Sequence, residues 1–181
     1  GVMVMIRPRV GDFTYSDSEI SEMRNEISEA SEAGADGVVF GVVNDGRLDV
    51  EKTRDLVRHA IEHDLQTTFH RAFDCLKDPL EALESVIDLG VDRILTSGTA
   101  WGSGFTTVDG LERIERLVRN ANNRIEIVLG GGISSTNVQR ILSTIETNSS
   151  SVSVHAFSSL HFDGLTNRNL VAEFVREANR H

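Results

Sequence analysis

The residues of this chain best suited to chemistry stand where short apolar runs give way to polar turns. Arg7-Pro8-Arg9, followed by Gly11-Asp12-Phe13 and Tyr15, closes the first run, and His70-Arg71-Ala72-Phe73-Asp74 closes the third. Thr96-Ser97-Gly98 closes the fourth, while Gly130-Gly131-Gly132 and His155-Ala156-Phe157-Ser158 close the last two. An imidazole titrates near neutral pH, so His70 is a candidate general acid or base, with Asp74 or Asp12 to orient it. Arg7, Arg9 and Arg71 carry guanidinium groups able to hold an anionic substrate. The competing reading of these residues is an internal polar network that satisfies itself, and His155 is a weaker instance of either.

The glycine triplet Gly130-Gly131-Gly132, with the small polar turn at His155 and Ser158 and the hydroxyls of Thr96 and Ser97, suits a phosphate cradle. Such cradles use backbone N–H groups at a helix N-terminus. A tight strand-to-helix turn needing positive φ explains the same glycines. Cys75, the single cysteine, offers a thiolate to soft Cu(I); a small buried hydrophobe is the alternative. His59 and His63 are spaced i, i+4, but that stretch reads as facing solvent with no third ligand evident, which argues against a metal site.

These groups need a scaffold, and the hydrophobic pattern supplies one. Short β-branched runs at 2–7, 37–41, 66–70, 92–97, 125–130 and 152–155 alternate with longer amphipathic stretches. Helix starts are expected at Ser16-Asp17, near Asp49, at Asp78-Pro79, Asp109, Ser134 and Asn167, with stops at Gly34 and Gly90. In the second helix Val50, Leu56, Val57, Ala60 and Ile61 form the apolar stripe. The phrases AGADGVVFG and LGVDRILTS repeat one helix-to-strand turn. The pattern contains no antiparallel hairpin, and no GxGxxG follows the first strand, so a barrel or an open parallel sheet is expected rather than a dinucleotide fold.

Phasing the strands favours the barrel. Val2, Val4 and Ile6, Val38 and Phe40, Phe69, Ile94, Ile127 and Leu129, and Val152 and Val154 form a face apolar enough to pack under helices. The other face, carrying Met3, Met5, Arg7, Val39, Thr68, His70, Arg93, Ser97 and His155, suits a barrel lumen and its mouth.

With 181 residues and 39% hydrophobic content, one domain over 1–181 is expected. A net charge of −10 argues against nucleic acid and anionic membranes as partners. One cysteine, no apolar run long enough to span a bilayer and no signal-peptide layout at the start suit a cytoplasmic protein. The Asn148-Ser149-Ser150 sequon reads as an ordinary loop.

Val4-Met5-Ile6-Arg7-Pro8-Arg9 with Gly11-Asp12-Phe13, Ala35-Asp36-Gly37-Val38-Val39-Phe40-Gly41, Thr68-Phe69-His70-Arg71-Ala72-Phe73-Asp74, Asp92-Arg93-Ile94-Leu95-Thr96-Ser97-Gly98, Gly130-Gly131-Gly132-Ile133 and Val154-His155-Ala156 together resemble the CutC copper-homeostasis family. The resemblance implies a cytoplasmic, usually homo-oligomeric TIM-like (βα) barrel concerned with copper handling and proposed to bind Cu(I); it assigns no reaction. The alternative is a barrel enzyme acting on a small anionic or phosphorylated compound. Val10 stands where the family usually has glycine. The chain starts at what resembles the family's third strand, so about six βα units are expected, an incomplete or opened barrel lacking the first two. Those units carry cysteines to which copper binding has been attributed in some members. Unpaired edges at Val2 and Val152 then predict self-association or pairing with another segment.

Overall fold

The computed structural model describes residues 1–145 and 151–180, so the Asn148-Ser149-Ser150 sequon lies outside the described residues. The chain divides into two compact units, Gly1–Leu95 and Thr96–His181.

In the first unit the order is β1 (Met3–Met5), α1 (Asp17–Glu32), β2 (Gly37–Phe40), β3 (Val43–Asn44), β4 (Arg47–Leu48), α2 (Val50–Glu62), β5 (Gln66–Phe69), a 3₁₀ turn (Arg71–Cys75), α3 (Pro79–Asp88) and β6 (Arg93–Thr96), whose last residue opens the second unit. Strands β1, β2, β5 and β6 pair in that order, all parallel. Their register sets Met5, Val39, Thr68 and Arg93 in one row. The alternate residues Ile6, Val38, Phe40, Phe69 and Ile94 are buried, while Met3 and Met5 are exposed. The two-faced phasing therefore holds here, with the exception of Val2, which is exposed rather than packed.

Helix starts follow from side chains that satisfy the orphan N–H groups of a first turn. Ser16 and Glu19 form a reciprocal capping box on α1, Asp49 caps α2, and Asp78 caps α3 with Pro79 at the first helical position. Gly34 and Gly90 follow the ends of α1 and α3 at positive φ, as a left-handed C-terminal turn requires. Ile61 departs from the expected stripe and is exposed; Leu56, Val57 and Ala60 are buried.

The second unit continues with α4 (Leu111–Ala121), β7 (Glu126–Gly130), α5 (Val138–Thr144), β8 (Val152–His155), a 3₁₀ turn (Ser158–Leu160), β9 (His161–Phe162), β10 (Leu165–Thr166) and α6 (Arg168–Ala178). Strands β7 and β8 are parallel, with Gly130 opposite His155. Two helix starts fall later than expected. Asp109 instead accepts from Thr106 N and Oγ1 in the preceding turn, and α4 begins after Gly110. Ser134 donates its N–H to Asn137 Oδ1, and α5 begins after Asn137. Asn167 caps α6 as expected.

The expectation of no antiparallel hairpin is overturned in both units. Strands β3 and β4 pair antiparallel around Asp45-Gly46, and β9 and β10 around Asp163-Gly164. All four turn residues have positive φ (47°, 70°, 51° and 75°), the conformation that an Asp-Gly pair adopts in a two-residue hairpin. Each hairpin delivers the next helix cap: Asp49 N donates to Val42 O and Asn167 N to Leu160 O. Among the described residues no helix is long and apolar enough to cross a membrane.

Candidate functional site

In the first unit, β5 ends at Phe69 and the chain turns at His70, which caps the following 3₁₀ turn: its Nδ1 accepts the Ala72 N–H at 3.2 Å. That acceptor role assigns the ring proton to Nε2. Nε2 is buried and has no hydrogen-bond partner. Burial, aided by the positive charge of Arg7, lowers the His70 pKa to about 4, so the ring is neutral at physiological pH. A Cβ on Gly41 would stand 2.6 Å from His70 Nδ1, so only glycine admits the imidazole at this depth.

Phe13 connects His70 to the arginine loop after β1. Its ring meets His70 edge-on at 4.8 Å, and the Arg7 guanidinium lies 4.7 Å over the same ring. Arg7 Nη2 donates to Gly11 O, which holds the loop, whereas Arg7 Nε is buried without a partner. The buried Tyr15 hydroxyl has no well-aligned hydrogen bond either; burial raises its pKa, and the neighbouring Arg7 guanidinium opposes that rise. Arg7 and Tyr15 thus face each other, and the His70 Nε2–H is the buried donor left for a ligand, an ion or water. The phenol, the Arg7 Nε–H and the His70 Nε2–H can all donate. An oxygen-bearing anion reached by His70 and Arg7 would accept from both.

The other expected residues of this unit hold structure as well as charge. Arg9 donates to Glu19, to Asp12 and to Thr14 O and lies over the Tyr15 ring, tying the loop to the start of α1. Glu19 and then Asp12 raise its pKa; Arg9 lowers that of Asp12 in return, while Glu19 is lowered first by the Ser16 backbone N–H and then by Arg9. Asp12 is therefore engaged by Arg9, and Asp74 Oδ2 by Arg71 Nε at 2.8 Å. What the structure places on His70 Nδ1 is a backbone N–H rather than either carboxylate. Cys75 ends the 3₁₀ turn half-buried; burial first, and then the Asp74 charge, raise its pKa, which keeps the thiol protonated.

In the second unit Thr96 and Ser97 are buried, with Thr96 Oγ1 accepting Gly98 N and Ser97 Oγ 2.8 Å from Thr99 Oγ1. The Gly131 carbonyl accepts both Thr107 N and Thr107 Oγ1, each at 2.9 Å. Gly132 has φ +73°, and a Cβ there would stand 2.8 Å from Thr106 Cγ2. Close packing on the 106–107 loop therefore accounts for glycine at 132, and the Gly131 and Gly132 carbonyls are engaged by Thr107 and Asn137. Gly130 ends β7; His155 ends β8 exposed, with partial burial of its ring lowering its pKa; Ser158, itself exposed, opens a 3₁₀ turn.

Two clefts adjoin these groups. One of about 320 Å³ in the first unit is lined by Arg47, Leu76, Lys77, Asp78 and Glu81; one of about 430 Å³ in the second is lined by Thr99, Phe105, Asp109, Arg113 and Arg116. Neither includes His70. Of the residues around His70, sequence reasoning assigned no role to Phe13, Tyr15 or Gly41; the Gly41 contact has no local sequence signal, since it arises from β2 and β5 lying side by side.

One expectation needs correction. His59 and His63 do not face solvent: both imidazoles turn onto α1, with their Nε2 atoms 2.9 and 2.8 Å from Ser28 Oγ.

Comparison with known proteins gives consistent results. The CutC family model matches residues 1–156. The human copper homeostasis protein cutC homolog is 49% identical over 142 residues, 78% of this chain and 50% of that protein. A family protein CutC from Glaesserella parasuis is 46% identical over 140 residues, 77% of this chain and 55% of that one. The chain thus spans about half the length of the curated relatives it matches. A crystal structure of the putative copper homeostasis protein CutC from Streptococcus agalactiae superposes with TM-score 0.75 at 34% identity, over 84% of this chain and 71% of that one. A 3-keto-L-gulonate-6-phosphate decarboxylase from Vibrio cholerae, 16% identical with TM-score 0.60 over 98% of this chain and 72% of that one, shares the fold alone. The fold class is α/β, TIM-barrel-like, with six main parallel strands among the described residues where a full barrel has eight. On the matched residues and these identities, the chain belongs to the CutC family.

Proposed function

We propose that this chain serves in copper homeostasis, the role by which its family is named, and that its own chemically competent site binds a small anionic or phosphorylated compound between Arg7 and His70. The observation that carries the second part is the buried, partnerless Nε2–H of His70 within reach of the Arg7 charge. A neutral imidazole with a pKa of about 4 is a strong candidate to donate a hydrogen bond to a substrate oxygen without being a cation. Arg7 supplies the charge. The copper ion itself has thinner support in these residues. Among the described residues no group of three or more His, Cys, Asp and Glu is placed to hold a metal, and Cys75 keeps its proton. Cu(I) binding here therefore rests on the family and on Cys75 as one soft ligand. A cytoplasmic location and a homo-oligomeric state belong to the same reading.

The test is a thermal-shift comparison of the chain with inorganic phosphate, a panel of sugar phosphates, and Cu(I). A compound at about 100 times its Kd stabilises by about 2.7 kcal/mol. The expected result is a rise in Tm with one or more phosphorylated compounds that Arg7→Ala and His70→Asn abolish and Cys75→Ser leaves intact. A Cu(I) response lost in Cys75→Ser, with no response to any anion, would overturn the anion site in favour of direct copper binding.

A further inference from the structure

His59 in α2 and His63 at its C-cap stand one turn apart, on the side that packs against α1. Their Nε2 atoms lie 2.9 and 2.8 Å from a single atom, Ser28 Oγ. The two rings are 4.5 Å apart between centroids and tilted by 57°, so the same edge of each is turned to one point. The Arg24 carbonyl is there too, 3.0 Å from His59 Nε2 and 3.3 Å from Ser28 Oγ.

Two neutral rings leave one atom of this cluster poorly served. If His59 carries its proton on Nε2, donating to the Arg24 carbonyl, then Nδ1 is a bare acceptor. That Nδ1 is buried and has no hydrogen-bond partner, with the Glu62 carboxylate 3.7 Å away, acceptor facing acceptor. If the proton moves to Nδ1, it turns towards Glu62, and the Ser28 hydroxyl can donate to the bare Nε2 while His63 Nε2–H donates to Ser28 Oγ, but that Nε2 lone pair then faces the Arg24 carbonyl at 3.0 Å. A cation at Nε2, whether a second proton or a metal, relieves both faults.

We propose that this α1–α2 interface is a binding site for a divalent late transition-metal ion, held by Nε2 of His59 and Nε2 of His63. The metal takes both ring lone pairs, and His59 Nδ1–H is then free to donate to Glu62, the outer carboxylate partner that metal-bound histidines commonly have. Ser28 Oγ and the Arg24 carbonyl are oxygen ligands within reach, and water completes the set. Imidazole with oxygen suits Cu²⁺, Ni²⁺ and Zn²⁺, with Cu²⁺ bound most tightly in the usual order of affinities. The nearby Arg24 guanidinium is neutralised by Asp55 at 2.5 Å, so its charge does not oppose the ion. The inference stands on this cluster alone and is independent of the Arg7–His70 site.

The experiment is a Cu²⁺ titration of the whole chain carrying Cys75→Ser, which removes the thiol as a competing ligand, followed by calorimetry and by electron paramagnetic resonance. The expected result is one saturable site showing coupling to two imidazole nitrogens. His59→Gln and His63→Gln each weaken it by at least about tenfold and remove a nitrogen coupling; Glu62→Gln, an exposed change that leaves the fold alone, weakens it by about 10- to 100-fold, as loss of an outer partner does. Far-UV circular dichroism verifies that each variant is folded. Unchanged affinity and unchanged nitrogen coupling in both histidine variants, or no saturable binding below millimolar Cu²⁺, overturns the proposal. Phosphate responses through Arg7 are unaffected by either outcome.

Discussion

At the scale of single residues, His70 is set by what surrounds it rather than by its own chemistry. The glycine at 41, the Ala72 N–H and the Phe13 ring fix its position, and burial fixes its charge state. This has a measurable consequence for stability. The folded pKa of about 4 lies below the ordinary value of 6.5, so between these pH values the unfolded chain binds the proton and the folded chain does not. Stability from this group is therefore fully present above about pH 6.5 and declines as pH falls towards 4, by a total of about 3 kcal/mol. Urea unfolding from pH 7 to pH 4 should show this slope, and His70→Asn should flatten it by that amount; an equal slope in the variant would show that the ring is not buried as a neutral group. The sequence made His70 conspicuous, because it ends a strand beside arginines and acids. It could not show that a backbone N–H, and not Asp12 or Asp74, would hold Nδ1, since that depends on the path of the 3₁₀ turn. For the same reason the orientation of His59 and His63 was not legible: i, i+4 spacing puts them on one face, but only the docking of α1 decides what that face meets.

At the scale of elements, most starts and stops were written locally. Ser16, Asp49, Asp78 and Asn167 cap the helices they were expected to cap, because a short polar side chain needs only its own next turn to act. Asp109 and Ser134 misled because each serves a turn that precedes the helix, and their side chains or N–H groups are used there. The hairpins at Asp45-Gly46 and Asp163-Gly164 carried a strong local signal, but strands of two residues leave no alternating apolar pattern around it. The two turns make a matched pair for experiment. Gly46 and Gly164 both have φ near +70°, where any side chain is strained, costing about 1–2 kcal/mol. A Cβ at Gly46 would also stand 2.9 Å from Lys77 Cε, a flexible neighbour that can move, whereas nothing lies within 4 Å of Gly164. Gly46→Ala and Gly164→Ala should therefore lower stability by similar amounts, about 1–2 kcal/mol each in chemical denaturation. A loss only at Gly46 would assign the cost to the Lys77 contact instead of the backbone.

At the scale of the whole molecule, charge and exposed apolar surface act in opposite directions. In the first unit, β1 pairs with β2 on one side, and Val2, Met3 and Met5 are 61%, 37% and 54% exposed. An end strand with apolar side chains in water is a template for another chain, and no lysine or proline within Met3–Met5 blunts it. Against this, each copy carries a net charge of −10, which repels a second copy at low salt. Salt shortens the range of that repulsion, to about 10 Å at 0.1 M and about 3 Å at 1 M, and leaves apolar burial untouched or strengthened. Self-association should therefore increase with protein concentration and, at fixed concentration, with sodium chloride. Met5→Lys places a charge on the strand and should return the chain to a monomer with little change in Tm, since Met5 is largely exposed already. Sedimentation velocity measures this directly: a mass that stays monomeric across concentration and salt, or an oligomer indifferent to Met5→Lys, would show that β1 is not the contact and would move attention to Phe157, Phe162 and Leu165, the most exposed of the large apolar residues of the second unit.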